Sequence, residues 1–335
     1  MAQNEKSTIL DVAEEAGVSV ATVSRIINSN YPINEISKRV HNIIERLHYE
    51  PSVRKFETTI GIVVPSFYNI FFAEVIHGIE DYVNYDSRSL ILNRSQGSAQ
   101  HEKSCIIDLM ERNVSGIIVI SPNMSGIDEE FYKKVAQQMP LVFINGYHQI
   151  SGAYYVMNNE AKGTLEALKY LFELNHKKIL FIRGINSDSY EIKESTYKNF
   201  MQEKGIDANN YIVNIGEGNS TDTMDITTDI LVDILPETDA TAIFCCNDLM
   251  GVGAINACQK LGKRIPEDIS IMGYDNIFLS RIVEPKLTTM DQNMFQLGYN
   301  AATILFMGNT TIGRSRHITL DNVLIERNST GYNHN

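Results

Sequence analysis

Three spans near the start of the chain carry apolar residues at helical spacing. Ile9, Val12, Ala13 and Ala16 fall at i, i+3, i+4 and i+7. Val20, Val23, Ile26 and Ile27 repeat the pattern after Gly17-Val18-Ser19, and Ile36, Val40, Ile43, Ile44 and Leu47 continue it after Asn34. The punctuation agrees with the pattern. Thr8-Ile-Leu-Asp11 has the form of a capping box with Asp in place of Glu. Gly17 can take the positive φ that ends a helix, and Ser19 can cap the next one. Pro51 stops the third span by disfavouring helix in the residue before it. Residues 1–50 therefore predict three short helices with a glycine-containing turn between the first two. That is the helix-turn-helix outline, shared with any small helical bundle.

From Ile60 the pattern changes to short continuous apolar runs. Strands are expected at Ile60–Val64, Leu90–Asn93, Gly116–Ile120, Leu141–Asn145, Tyr154–Asn158, Lys178–Arg183, Tyr211–Ile215, Ala242–Cys246 and Ile269–Gly273. Helical patterns lie between most of them, for instance Phe71–Tyr85, Glu160–Leu174 and Asp248–Leu261. Continuous apolar strands with helical crossovers indicate parallel sheets covered on both faces. There are too many strands for one sheet, so the fold class is α/β with two similar open subdomains. In such sheets ligands bind outside the carboxyl ends of the strands.

Composition narrows the function. A chain of 335 residues with 43% hydrophobic and 21% charged residues is ordinary for a globular protein of two or three domains. MAQNEKST has no apolar core of a signal peptide, and no apolar run approaches a membrane span, so a cytoplasmic protein is expected. Cys105, Cys245, Cys246 and Cys258 form no C-x-x-C pair and read as buried reduced thiols rather than a zinc site. The net charge of −12 argues against nonspecific coating of nucleic acid. Residues 1–55 carry seven basic and seven acidic residues, so the whole −12 sits on the remainder and any DNA contact stays local to the head. G-x-S-x-G, H-E-x-x-H and the P-loop are absent, the histidines show no ligand spacing, and no metal or cofactor is expected. Gly251-Val-Gly253 lies inside a helical pattern and reads as close helix packing. An enzyme is not expected.

The stretch T-I-L-D-V-A-E-E-A-G-V-S-V-A-T-V-S-R-I-I-N closely resembles the headpiece of the lactose-repressor (LacI/GalR) family of bacterial transcription regulators. The resemblance implies that the second helix enters the major groove of double-stranded operator DNA. Val20 and Ala21 then occupy the variable base-reading positions and offer only apolar contact, for example to a thymine methyl. Arg25 is the implied reader of a base edge such as that of guanine, and Thr22 reaches a base or a phosphate. Thr8, Ser19, Ser24 and Asn28 would hold phosphates, which fix register without reading sequence. The family's hinge segment after Y-x-P wedges the minor groove. Here residues 51–59 form a linker about half a dozen residues shorter, lacking the A-R-x-L core of that hinge. Arg54, with Lys55 and Val53, would make only backbone contacts, which puts DNA bending in doubt.

The resemblance continues through I-G-I-V-V-P-S-F-Y-N-I-F-F, V-S-G-I-I-V, T-A-I-F-C-C-N-D-L-M-G-V-G-A, I-S-I-M-G-Y-D-N and L-T-T-M-D-Q. It implies a core like a periplasmic sugar-binding protein, with a small-molecule effector between two subdomains. The expected division is 60–160 with 293–319, and 161–292 with 320–332, the chain crossing near Asn159, Asn293 and Leu320. Asn69, Phe71 and Phe72 follow the first strand, where the two phenylalanines read equally well as core. Asn158, Asn247, Asp275 and Gln292 end strands or crossovers and suit a hydroxyl-rich ligand; for Asn247 and Asp275 the alternative is helix capping. Two departures bear on the effector. Lys193 stands where many members have an arginine, and Lys cannot grip a ligand bidentately. Ser220 follows Gly218-Asn219 where members often present an aromatic platform, a part left to Tyr190 or Phe67. The expected function is a ligand-switched regulator, read as a repressor of sugar-metabolism genes. Its partners are a homodimer mate, operator DNA and a sugar or sugar derivative, with a nucleoside or purine as the lesser choice. The alternative is a sugar-binding module without operator binding.

Overall fold

The computed structural model describes residues 7–27, 34–49, 59–84, 88–123, 128–307 and 316–334, except the side chains of Ala21, Ser24 and Arg25. The chain forms two compact units, residues 1–55 and 56–335.

In the first unit, helices α1 (Ile9–Ala16), α2 (Val20–Ile27) and α3 (Glu35–Arg46) surround one small core. Val12, Ala13, Ala16, Val23, Ile26, Val40 and Ile43 are buried there, while Ile9, Val20, Ile27, Ile36, Ile44 and Leu47 pack around them partly exposed. The start signals work as read. Thr8 and Asp11 form the reciprocal capping box, and Gly17 closes α1 at φ 62°. Ser19 Oγ accepts from the Thr22 amide at 3.2 Å and so caps α2. An Arg46–Glu15 ion pair ties α3 to α1.

The second unit begins β1 (Thr59–Val64), α4 (Ile70–Asn84), β2 (Ser89–Arg94), α5 (Ala99–Glu111) and β3 (Gly116–Ile120). It continues with α6 (Glu129–Gln138), β4 (Leu141–Ile144), β5 (Tyr154–Asn158), α7 (Glu160–Glu173), β6 (Ile179–Arg183) and α8 (Asp188–Glu203). Next come β7 (Ile212–Asn214), α9 (Thr223–Ile234), β8 (Ala242–Cys245), α10 (Asp248–Lys260), β9 (Ser270–Met272) and α11 (Leu279–Ile282). The last elements are β10 (Thr289–Asp291), α12 (Met294–Met307), β11 (His317–Leu320) and β12 (Val323–Ile325). One parallel sheet has the order β11-β5-β4-β3-β1-β2 and a second has the order β7-β6-β8-β9. A small antiparallel pair, β10-β12, joins them. The chain leaves the first sheet after Asn158, returns through α12, and leaves again after Leu320.

Burial explains the apolar runs. Every residue of β1, β3, β4 and β6 is buried, because helices cover both faces. One core lies under α4 and α12 and another under α5 and α6, on opposite faces of the first sheet. The α4–α12 crossing is unusually close. A Cβ at Gly78 would stand 2.0 Å from the Phe295 carbonyl oxygen, and one at Gly298 would stand 1.9 Å from that of Val75. Gly253 likewise lets α10 meet α9, its absent Cβ falling 2.6 Å from the Met224 carbonyl oxygen, so this glycine serves packing as expected. Cys245, Cys246 and Cys258 are buried free thiols, but Cys105 is partly exposed on α5, contrary to the reading of all four as buried. Among the described residues, no helix is long and apolar enough to cross a membrane.

Candidate functional site

A cleft of about 350 Å³ opens between the carboxyl ends of the two parallel sheets. Its first wall is built from the loops after β1, β2, β3 and β4, which bring Asn69, Gln96, Ser121 and Asn145 to the edge. Its second wall comes from the loops after β6, β7, β8 and β9, with Asn186, Asn219, Asn247 and Asp275. Gln292, just before α12, and Glu160, the first residue of α7, lie at its base. The volume suits a monosaccharide-to-nucleoside-sized ligand.

Backbone strain collects here. Of the ten described non-glycine residues with positive φ, five line the cleft: Gln96, Ser121, Asn145, Asn186 and Asp275. Such conformations cost energy and persist where the surrounding structure imposes them, often at ligand sites. Asp275, at φ 120°, is the most unusual of them.

Eight of the nine residues read from the sequence line the cleft: Asn69, Phe71, Phe72, Tyr190, Lys193, Asn247, Asp275 and Gln292. Asn158 stands behind them. Its Nδ2 donates to Gln292 Oε1 at 2.7 Å, and its amide donates to Asn145 Oδ1 at 2.9 Å. Gln292 in turn donates through Nε2 to Asp275. Asn158 thus positions Gln292 through a relay that runs from the first sheet to the second wall. Phe71 and Phe72 are 5% and 3% exposed, so both readings meet in residues that are core and wall at once. Asn247 lines the cleft and also caps a helix. Its Oδ1 accepts from the Met250 amide and caps α10, while its Nδ2 donates to Tyr190 Oη and the Gly218 carbonyl. Asp275 caps no helix. Phe67 is 51% exposed and does not line the cleft; Tyr68 stands at the rim instead.

Two of the charged groups, Lys193 and Glu160, are spent on one another. Lys193 is buried with Nζ 3.2 Å from Glu160 Oε2, donates to the Cys246 carbonyl at 3.0 Å, and lies 3.7 Å from the Tyr274 ring centre. Asn69 Nδ2 donates to Asn219 Oδ1 at 2.8 Å, a single bond across the cleft mouth. Burial pushes the Asp275 carboxyl well above its usual range, with the Lys193 charge pulling the other way. Nearby Asp248, wholly buried, accepts from the Ile277 amide at 2.8 Å and from Thr289 Oγ1 at 2.6 Å. Desolvation lifts its pKa to about 7 against the hydrogen bonds that lower it.

The folded protein therefore holds a proton on Asp248 that the unfolded chain releases above about pH 4. The native-state advantage of the protonated carboxyl is present at low pH and is lost as pH rises through about 7. Relative to wild type, Asp248→Asn should gain stability between about pH 4 and 7 and then level off. Urea unfolding across this range measures it, and parallel curves for the two proteins would contradict a buried protonated Asp248.

In the head, Thr8 Oγ1 donates to Asp11 at 2.8 Å, and Ser19 Oγ lies 2.9 Å from Thr22 Oγ1, so three DNA candidates are engaged in capping. Val20 is half-buried at the start of α2. Asn28 and Arg54 lie outside the described residues, as do the side chains of Ala21, Ser24 and Arg25.

Two family models match the chain. Residues 8–52 match bacterial regulatory proteins of the lacI family, and residues 168–330 match a periplasmic binding protein-like domain. The HTH-type transcriptional repressor PurR of Vibrio atlanticus is 36% identical over 309 residues, covering 89% of this chain and 91% of the relative. The chain belongs to the lacI family. As a lacI-family protein it is a DNA-binding transcriptional repressor rather than an enzyme. The ribose operon repressor of Haemophilus influenzae is 34% identical over 89% of this chain and 91% of its own length. Among solved structures, a lac repressor dimer bound to operator and an anti-inducer aligns with a TM-score of 0.72. It is 24% identical, covers 98% of this chain and 100% of the other, and so supports the fold of this lacI-family chain.

Proposed function

We propose that this repressor is switched by a sugar or sugar derivative bound in the cleft, and that it works as a homodimer on a near-palindromic operator. The carrying observation is the cleft itself: short amide and carboxyl side chains converge from the carboxyl ends of two sheets. Such groups suit a diol, which both donates and accepts hydrogen bonds. Among the relatives, the ribose operon repressor accords with this choice, while the PurR repressors keep the purine class as the second reading. Effector binding favours one relative orientation of the core subdomains, and that orientation sets operator affinity. A coupling of about 1–3 kcal/mol is typical of such switches.

A thermal-shift panel of sugars and nucleosides, followed by operator titration at fixed salt with each hit, tests the reading. A sugar that raises the melting temperature and changes operator affinity supports it. Binding of nucleosides alone would transfer the effector to the purine class, and sequence-independent DNA binding would remove the operator.

The short linker makes a separate prediction. Footprinting should show weak minor-groove protection at the operator centre, because the wedge-forming residues of the family hinge are missing between Pro51 and Ile60. Strong central protection, or a large bend by gel mobility, would contradict this.

A further inference from the structure

We propose that the cleft selects its effector by charge, taking uncharged or amine-bearing molecules and rejecting phosphate monoesters, with Asp188 setting the preference. The inference rests on the cleft being the effector site. Helix α8 is 16 residues long, and its N-cap, Ser187, makes no side-chain capping bond. Residues 187–190 face the cleft. A helix start of this kind offers free backbone N–H groups and the positive end of the dipole, the usual welcome for a phosphate. Asp188 occupies the first helical position with its own carboxylate.

The remaining charges do not offset it. Four carboxyl groups line the cleft, from Glu160, Asp188, Glu217 and Asp275, against Lys193 and Arg94; burial favours the neutral form of Asp275, so the excess rests on Asp188 and Glu217. Lys193 is already paired with Glu160, and Arg94 is exposed at the end of β2. A phosphate monoester carries roughly −1.5 to −2 at neutral pH and would meet this surplus at close range. Asp188 Oδ2 is buried and has no hydrogen-bond partner among the described residues. A hydroxyl or ammonium donor suits this end of the cleft; a phosphate oxygen does not.

Isothermal titration of the full chain with matched pairs tests the proposal: ribose and ribose 5-phosphate, glucose and glucose 6-phosphate, inosine and its 5′-monophosphate, with glucosamine as the amine probe. In wild type, each ester should bind at least about tenfold more weakly than its neutral partner, and glucosamine at least as well as glucose. Asp188→Asn should gain about tenfold or more for at least one ester while the neutral partner changes far less. Asp188→Ser, which keeps a residue suited to a helix start, repeats the measurement should the Asn variant fold poorly. Wild-type binding of any ester as tight as its neutral partner would overturn the proposal, as would an Asp188 variant that takes no ester better than wild type. The operator arm separates the two readings. A phosphate ester that binds and changes operator affinity defeats charge selection while leaving the switch intact. Neutral ligands that bind without moving operator affinity defeat the switch and leave charge selection standing.

Discussion

Asp275→Ala should bind operator as wild type does and no longer respond to effector. Asp275 is 4% exposed, lies in the loop after β9 at the cleft, and is held by Gln292 Nε2. A carboxyl fixed in this way can take two hydroxyl donors of a diol. Hydrogen bonds to a buried carboxyl held largely neutral contribute about 0.5–1.5 kcal/mol each, so losing the pair should weaken binding by roughly tenfold to a hundredfold. The fold should survive, since removing a buried carboxyl relieves its desolvation. The cost falls on Gln292, left without its acceptor, and on an alanine at φ 120°. Asp275→Asn is the milder companion, because it keeps an acceptor for Gln292. Fluorescence anisotropy of labelled operator, with and without a sugar that shifts the wild-type melting temperature, gives the readout. A full response from the alanine variant would move the site elsewhere in the cleft.

Arg25→Ala should lose discrimination between operator and scrambled DNA while melting at the wild-type temperature. The described head core is made by Val12, Ala13, Ala16, Val23, Ile26, Val40 and Ile43, and in the sequence Arg25 falls outside the apolar spacing of Val20, Val23, Ile26 and Ile27. Val20 and Ala21 carry no hydrogen-bonding side chain, so direct readout by this helix leans on Arg25. A bidentate arginine–guanine contact is worth about 1–3 kcal/mol of discrimination, roughly 5- to 150-fold. The residual nonspecific affinity should keep a steep dependence on salt. Competition titrations with the two duplexes at one salt concentration measure the ratio, and an unchanged ratio would remove Arg25 from base reading.

The parallel strands were the most legible part of the fold. β3 and β5 fall at Gly116–Ile120 and Tyr154–Asn158 as the apolar runs indicate, because strands buried on both faces leave an unbroken signature. The head was equally plain, since its caps are local and each depends on residues within one turn. The edge of the first sheet was not. β11 alternates exposed and half-buried residues, and β10 and β12 have three residues each, too few for a periodicity. In the cleft, the asparagines and Asp275 could be placed because they sit at strand ends. Ser121 and Asn145 were not singled out, although Asn145 ends an expected strand; their positive φ and the bond from the Asn158 amide to Asn145 appear only in the structure. Glu160 was hidden for another reason. Its partner Lys193 belongs to a different helix, and a lysine in an arginine's place gave no hint that a carboxylate already holds it.

The paired glycines of α4 and α12 have a mechanical consequence. Where two backbones touch at Gly78 and Gly298, no side chain is present to yield, so the helices transmit a push instead of absorbing it. The root of α12 is only two residues from Gln292, which lines the cleft. A shift of that amide is therefore expected to be passed to α4 and α12 together, as one stiff body.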